Sequence, residues 1–121
     1  MNILFFGAHP DDIESLCGGT AFRYAEMGAK LFFCVATNGS VGSTTLSKDE
    51  IAKVRKEEAT CAAKCIGAKL IWLGFDDEFL LDSVETRHAF IKNILEFKVF
   101  IEHCPSPTSQ LSYNAKTQCF L

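Results

Sequence analysis

The sequence lacks the features that mark several classes of protein. Its 121 residues contain no long uninterrupted hydrophobic run, and no basic segment precedes the apolar residues near the start. We therefore expect neither a membrane span nor a signal peptide. Lysine and arginine are scattered, and the net charge is -3. Without a basic stripe, a role in binding nucleic acid or an anionic membrane has no electrostatic support. Because we expect neither a signal peptide nor a membrane span, we expect a cytoplasmic protein.

Cysteine gives little structural information either. The six cysteines include no C-x-x-C pair, and they are too sparse for a disulfide scaffold. Cys61 and Cys65 are four residues apart and would share one face of a helix. We interpret this pair as small buried apolar side chains, with a metal-binding pair as the less favoured alternative.

The order of the apolar runs predicts one domain of alternating strands and helices. Four runs have the length and composition of buried strands, at 3–6, 31–36, 70–73 and 99–101. Helical patterns lie between them, at about 12–27, at 47–66 and from 82 onward. Strands that are apolar throughout and alternate with helices predict an α/β fold, a Rossmann-like three-layer sandwich with a mostly parallel sheet.

Local signals support two of these helices. Ser47 and Glu50 form a capping box ahead of the second helix. The third helix carries an apolar stripe on which His88 lies, so we expect a packed histidine there and not a metal ligand; the stripe also holds Val84, Ile91 and Leu95.

The last stretch of the chain has a different composition. Residues 105–121 contain two prolines and many polar side chains, without a helical or strand period. We therefore expect the domain to cover residues 1–104 and residues 105–121 to form an irregular tail.

Polar side chains follow every predicted strand. The carboxyl ends of parallel strands meet at one edge of a sheet, where ligands bind. The residues that follow the strands are His9, Asp11 and Asp12 after the first, Thr37, Asn38 and Gly39 after the second, Asp76, Asp77 and Glu78 after the third, and His103 after the fourth. The pattern indicates a site, although Asp11 or Asp12 could instead cap the first helix.

The segment FFGAHPDDIE crowds one imidazole and three carboxylates into six residues. Adjacent ionised carboxylates repel each other unless a cation or a hydrogen-bond donor lies between them. Pro10 restricts His9 to an extended conformation, so His9 and Asp12 could face one ion across a turn. Imidazole plus carboxylate suits zinc, and Asp11 would remain free to act as a base.

At these residues the chain resembles the PIG-L/LmbE family of zinc-dependent N-acetylglucosaminyl de-N-acetylases. The family signature A-H-P-D-D-E matches Ala8 to Asp12, with Glu14 one position late. Further similarities follow in order, at Gly18-Gly19-Thr20, Thr37-Asn38-Gly39, Arg55 with Glu57, Glu58 and Ala59, and Leu73-Gly74-Phe75-Asp76-Asp77. The resemblance covers about residues 2–103.

The resemblance implies a zinc-dependent hydrolase that removes an acetyl group from an N-acetylglucosamine-type conjugate, a small-molecule substrate. Carried over by position, His9 and Asp12 would bind Zn²⁺ and Asp11 would be the general base. Arg55 and Asp77 would hold sugar or polyol hydroxyls. A solvated helix arginine and an ordinary loop acid are the alternatives for these two.

The sequence departs from the family pattern near its end. The family supplies a third zinc ligand from a later H-P-D-H type motif, which is absent here. His103 is the best placed of the remaining imidazoles. The chain therefore looks truncated, and the alternative function is a catalytically inactive deacetylase fragment acting as a binding or interaction module. An uncovered sheet edge would also favour a homo-oligomer.

Two other classes of α/β protein fit less well. A phosphoacceptor receiver domain also carries acids after its first strand, but the His-Pro before the acid pair argues against it. A dinucleotide-binding domain would need G-x-G-x-x-G after the first strand, and this sequence has none there.

Overall fold

The computed structural model describes residues 1–103, so the predicted tail at 105–121 lies outside the described residues. The strands are β1 (Asn2–Gly7), β2 (Lys30–Thr37), β3 (Lys69–Phe75) and β4 (Phe100–His103). The helices are α1 (Asp12–Glu26), α2 (Lys48–Cys65) and α3 (Val84–Phe97). None of these three helices has both the length and the apolar composition that crossing a membrane requires.

The four strands form one parallel sheet in the order β3-β2-β1-β4. In its centre, Ile3 of β1 lies between Leu31 of β2 and Phe100 of β4. The chain moves outward from β1 to β3 and then crosses back to the other side of β1. This order begins the arrangement of doubly wound α/β folds, and the prediction of an α/β fold with a parallel sheet is confirmed.

Helices cover both faces of this sheet. Alternate residues of a strand point to opposite faces, so each strand supplies both layers. On one face α1 and α2 pack over a cluster that includes Ile3, Phe5, Leu31, Phe33, Val35, Ile13, Ala21 and Ala63. Phe5 and Phe33 meet edge to face there, with ring centroids 5.7 Å apart. Burial of each such ring contributes roughly 1.5–3 kcal/mol, which makes this face the main core.

The other face is covered by α3, through a different stripe from the one its periodicity favours. Phe90 packs on Phe6 and Phe97 stacks on Phe32, with ring centroids 5.4 and 4.5 Å apart. The predicted stripe is exposed instead, at Val84, His88, Ile91 and Leu95. The expectation of a packed His88 is therefore wrong, because ring contacts select the stripe that carries the phenylalanines.

The expectation for the cysteine pair is also wrong. Cys61 and Cys65 are exposed on α2, whereas Cys34 is buried in β2. The helix turns Ile51, Ala59 and Ala63 inward instead. Burial raises the pKa of the Cys34 thiol to about 12, which leaves it protonated at neutral pH.

We predict that these cysteines differ in reactivity. The thiolate is the nucleophile, so iodoacetamide at about pH 8 should alkylate Cys61 and Cys65 in the folded protein and leave Cys34 unmodified. Peptide mapping by mass spectrometry, with and without guanidinium, measures the label at each position. Alkylation of Cys34 in the native protein at the rate of Cys61 would contradict its burial.

Candidate active site

The turn between β1 and α1 brings the first site residues to the carboxyl edge of the sheet. A Cβ at Gly7 would lie 3.0 Å from Cγ1 of Ile13, so glycine allows the start of α1 to lie close against the end of the strand. From the end of β2, the backbone N and Oγ1 of Thr37 both donate to the carbonyl of Ala8, at 2.9 and 2.8 Å. The close packing of α1 on Gly7 and the hydrogen bonds from the end of β2 therefore fix the position of this turn.

Asn38 joins the loops that follow β2 and β3. Its backbone N donates to the carbonyl of Phe75 at 2.9 Å, and its Nδ2 donates to Oδ1 of Asp76 at 3.2 Å. Its Oδ1 accepts a hydrogen bond from the backbone N of Ser40 at 3.0 Å. The ends of three adjacent strands are thereby linked, and their polar residues share one edge as the sequence predicts.

His9 lies between two carboxylates. Its Nε2 is 3.1 Å from Oδ1 of Asp77, a side chain from the loop after β3 that is only 6% exposed. Its Nδ1 is 3.6 Å from Oδ2 of Asp12, and the same oxygen accepts a hydrogen bond from the His9 backbone N at 2.9 Å. The imidazole is 46% exposed, so it is oriented on both sides and still accessible.

Asp11 adopts an unusual backbone conformation at the N-cap of α1. Its φ is 100° and its ψ is -17°, in the left-handed region, and its side chain makes no capping hydrogen bond. Asp11 therefore occupies the N-cap position, as the alternative interpretation predicts, but its side chain does not cap the helix. Its Oδ2 instead accepts a hydrogen bond from Nη2 of Arg55 at 2.6 Å.

Arg55 reaches this turn from α2. Its Nη2 also donates to the carbonyl of Pro10 at 2.6 Å, and its Nη1 donates to Oε2 of Glu58 at 2.9 Å. Partial burial acts to lower the pKa of Arg55, but its hydrogen bonds and the charges of Asp11 and Glu58 outweigh that effect and raise the pKa. The guanidinium therefore remains a cation throughout the pH range in which the protein would be studied.

An open groove of about 410 Å³ lies over these residues. Four of the predicted site residues line it: His9, Asp11, Arg55 and Asp77. Asp12 contacts His9 from the first turn of α1. The backbone of His103 pairs with Phe6 at the carboxyl end of β4, while its imidazole lies outside the described side chains.

Two of these side chains have the spacing of ligands of one metal ion. Zinc with typical Zn–N and Zn–O bonds and tetrahedral angles separates such ligand atoms by roughly 3.4 Å. The 3.6 Å between Nδ1 of His9 and Oδ2 of Asp12 fits that geometry. Within residues 1–103, however, no group of three His, Cys, Asp or Glu side chains is arranged to hold a metal ion.

Sequence reasoning did not find two features of this edge. The sequence did not predict a partner for Asp11, because Arg55 lies 44 positions away and no local pattern signals their contact. It also assigned nothing to Glu14, whose Oε2 is buried without a hydrogen-bond partner. Glu14 lines a second cavity of about 150 Å³, together with Asp11 and Arg55.

Comparison with known proteins gives consistent results. The PIG-L family, described as GlcNAc-PI de-N-acetylase, matches residues 4–110. Diacetylchitobiose deacetylase from Thermococcus kodakarensis is 32% identical over 108 residues, which is 87% of this chain and 40% of that protein. The 1D-myo-inositol 2-acetamido-2-deoxy-alpha-D-glucopyranoside deacetylase from Kineococcus radiotolerans is 38% identical over 71 residues, which is 54% of this chain and 20% of that protein.

A solved structure agrees with these relatives. N,N'-diacetylchitobiose deacetylase from Pyrococcus horikoshii, complexed with its inhibitor MPG, has a TM-score of 0.75 and 32% identity, covering 78% of this chain and 37% of that chain. The chain thus spans less than half the length of these relatives.

We predict that Gly39 is required for the shape of the groove. Its φ is +66°, and a Cβ there would lie 3.1 Å from Cγ of Pro10 and 3.3 Å from Cγ of Arg55. Gly39→Ala should therefore lower the free energy of unfolding by about 2 kcal/mol, through backbone strain and displacement of the turn.

Gly28→Ala is the matched control for this prediction. Gly28 has a φ of +77°, but a Cβ there meets nothing within 4 Å. Gly28→Ala should therefore lower the free energy of unfolding only through backbone strain, by about 1 kcal/mol. Urea denaturation measures both variants, and equal losses would mean that the close approach to Pro10 is unimportant.

Proposed function

Because the chain belongs to the PIG-L family, described as GlcNAc-PI de-N-acetylase, we propose that it is a zinc-dependent hydrolase. It would remove an acetyl group from an N-acetylglucosamine-type conjugate. The observation that carries this proposal is the contact between His9 and Asp12, next to a groove that His9 and Asp11 line. The relatives named as deacetylases of diacetylchitobiose and of an acetamido-glucopyranoside support the substrate class.

His9 and Asp12 are the proposed zinc ligands. The Nε2 atom of His9 faces the Asp77 carboxylate, so in the neutral imidazole Nε2 would carry the proton and donate it to Asp77. The lone pair of Nδ1 would then be available to the ion. The His9 backbone N–H holds Oδ2 of Asp12 on the same side. We propose His103 as the third ligand, from the position of its backbone at the end of β4.

When bound, zinc would lower the pKa of a water molecule to about 7 and polarise the amide carbonyl. Asp11 is the proposed general base. Arg55 holds its Oδ2, while the carboxylate is 63% exposed and lines the groove, so its other oxygen is available for proton transfer. It would take a proton as the water oxygen bonds to the amide carbon and return it to the nitrogen as the C–N bond breaks. The products are acetate and a free amine.

The groove is proposed to hold the sugar. A volume of about 410 Å³ is within the range of small-molecule sites. Arg55 and Asp77 line it with polar groups, and Val41 and Ile51 add apolar surface. Sugars present both kinds of surface, with hydroxyls at the ring edge and C–H groups on its faces. We therefore propose that Arg55 and Asp77 contact sugar hydroxyls.

The first experiment is a zinc titration of the full chain against a competing chelator. We expect a dissociation constant below about a micromolar, and a loss of at least about 100-fold in His9→Ala because a first ligand is removed. Asp76→Asn is the matched control, since Asp76 lies on the same edge but contacts Asn38. Weak binding by the wild-type chain would favour the alternative, an inactive fragment that acts as a binding or interaction module.

We predict that Asp11→Asn separates metal binding from catalysis. An amide side chain cannot take the proton, so release of free amine from N,N'-diacetylchitobiose should fall by about 10²- to 10⁴-fold while zinc stays bound. Amine derivatisation measures the product, and the chelator titration measures the metal. Loss of zinc in this variant, or full retention of activity, would overturn the assignment of Asp11 as the base.

A further inference from the structure

Arg55 makes contacts that a solvated helix arginine does not make. One nitrogen, Nη2, donates both to the carbonyl of Pro10 and to the carboxylate of Asp11, each at 2.6 Å. The side chain is 26% exposed, whereas Arg23 on α1 is 78% exposed. The stem of Arg55 also packs close to Gly39, where a Cβ would lie 3.3 Å from its Cγ. Arg55 is thus held in one place against the turn after β1.

Asp11 needs an external partner in the conformation that it adopts. A φ of 100° is unfavourable for any residue with a Cβ, although aspartate tolerates the left-handed region better than most. The side chain of an aspartate at an N-cap usually accepts a hydrogen bond from a backbone N–H in the first turn of the helix, and that of Asp11 accepts none from α1. The hydrogen bonds from Arg55 to Asp11 and to the preceding carbonyl are therefore what opposes relaxation of this residue.

Glu58 completes the arrangement from the next turn of α2. It accepts a hydrogen bond from Nη1 of Arg55 at 2.9 Å, on the opposite arm of the fork from the nitrogen that meets Asp11. A planar guanidinium that is hydrogen-bonded through both terminal nitrogens, Nη1 and Nη2, has a fixed orientation. A lysine, with a single ammonium group, could not reproduce this arrangement. Glu58 therefore determines the direction from which Nη2 approaches the turn.

We infer that Arg55 and Glu58 are positioning residues: Glu58 orients Arg55, and Arg55 holds Asp11 in its left-handed conformation with one carboxylate oxygen engaged and the other available in the groove. This inference rests on the proposed role of Asp11 as the base only where it concerns catalysis. The effect of Arg55 on the backbone at Asp11 follows from the contacts alone.

The test of the backbone effect is a double-mutant cycle on the full chain. Urea denaturation gives folding constants for the wild type, Arg55→Gln, Asp11→Gly and the double variant. We expect Arg55→Gln to lower the folding constant about tenfold in the wild type and about threefold or less beside Asp11→Gly. Glycine adopts the left-handed conformation without help. Equal losses in both backgrounds would overturn the inference.

Arg23→Gln is the matched control. Arg23 contacts Glu26 three residues later on the same helix at 3.1 Å, as Arg55 contacts Glu58. Only Arg55 of these two also contacts the turn after β1 among the described hydrogen bonds. We expect less than about a twofold change in the folding constant and no coupling to Asp11→Gly, in line with exposed ion pairs. Coupling as large as that of Arg55 would mean that any lost arginine produces the effect, which would also overturn the inference.

The test of the catalytic effect uses Glu58. In Glu58→Ala we expect kcat for deacetylation to fall about tenfold because the base is misplaced. KM should rise by a smaller factor, because Arg55 loses one orienting partner while the proposed sugar contact of Asp77 remains. Glu58→Gln retains an acceptor and should recover part of that loss. A raised KM with unchanged kcat would overturn the positioning role. A wild-type chain without deacetylase activity would instead refute the proposed function, and the folding cycle would still decide the effect on Asp11.

Discussion

The site depends on how four residues, Ala8 to Asp11, connect β1 to α1. In this short connection the carbonyls of Ala8 and Pro10 are bonded by groups from elsewhere in the chain, as buried or crowded backbone groups require. Thr37 donates to the carbonyl of Ala8, and Arg55 donates to the carbonyl of Pro10. The turn therefore takes its shape from β2 and α2 as much as from its own sequence.

This connection also resolves the crowding of like charges in the segment FFGAHPDDIE. Asp11 and Asp12 are adjacent, yet each carboxylate has a different donor: Arg55 for the first and the His9 backbone N for the second. The left-handed backbone at Asp11 directs the two side chains to different partners. Among the described contacts, one cation and one amide thus offset the repulsion that the sequence suggests.

The sequence was sufficient for the features that depend on local periodicity and on strand order. Apolar runs separated by helical patterns gave the parallel sheet, and strand ends gave the edge where His9, Asp11 and Asp77 meet. It failed where two local solutions compete, as on α3, whose two apolar stripes are distinguished only by contacts with Phe6 and Phe32.

Tertiary contacts were the other limit of sequence reasoning. The hydrogen bond between Asp11 and Arg55 spans 44 residues, and His9 meets Asp77 from a different loop. Such contacts depend on how two separate loops approach each other, which no spacing along the chain encodes. The left-handed conformation of Asp11 could not be predicted from the sequence either, because aspartate is also common at N-caps with the ordinary extended backbone.

The described contacts that orient His9, Asp11 and Asp12 all come from residues 7–77, in β1 to β3 and the helices between them. The described supports of the two proposed ligands and of the proposed base therefore belong to the first three strands and to the helices between them. The proposed third ligand, His103, comes from β4 instead. The geometry of the first two ligands and the affinity for zinc are thus separate properties: the first is built by the turn after β1, and the second depends on whether another side chain completes the site.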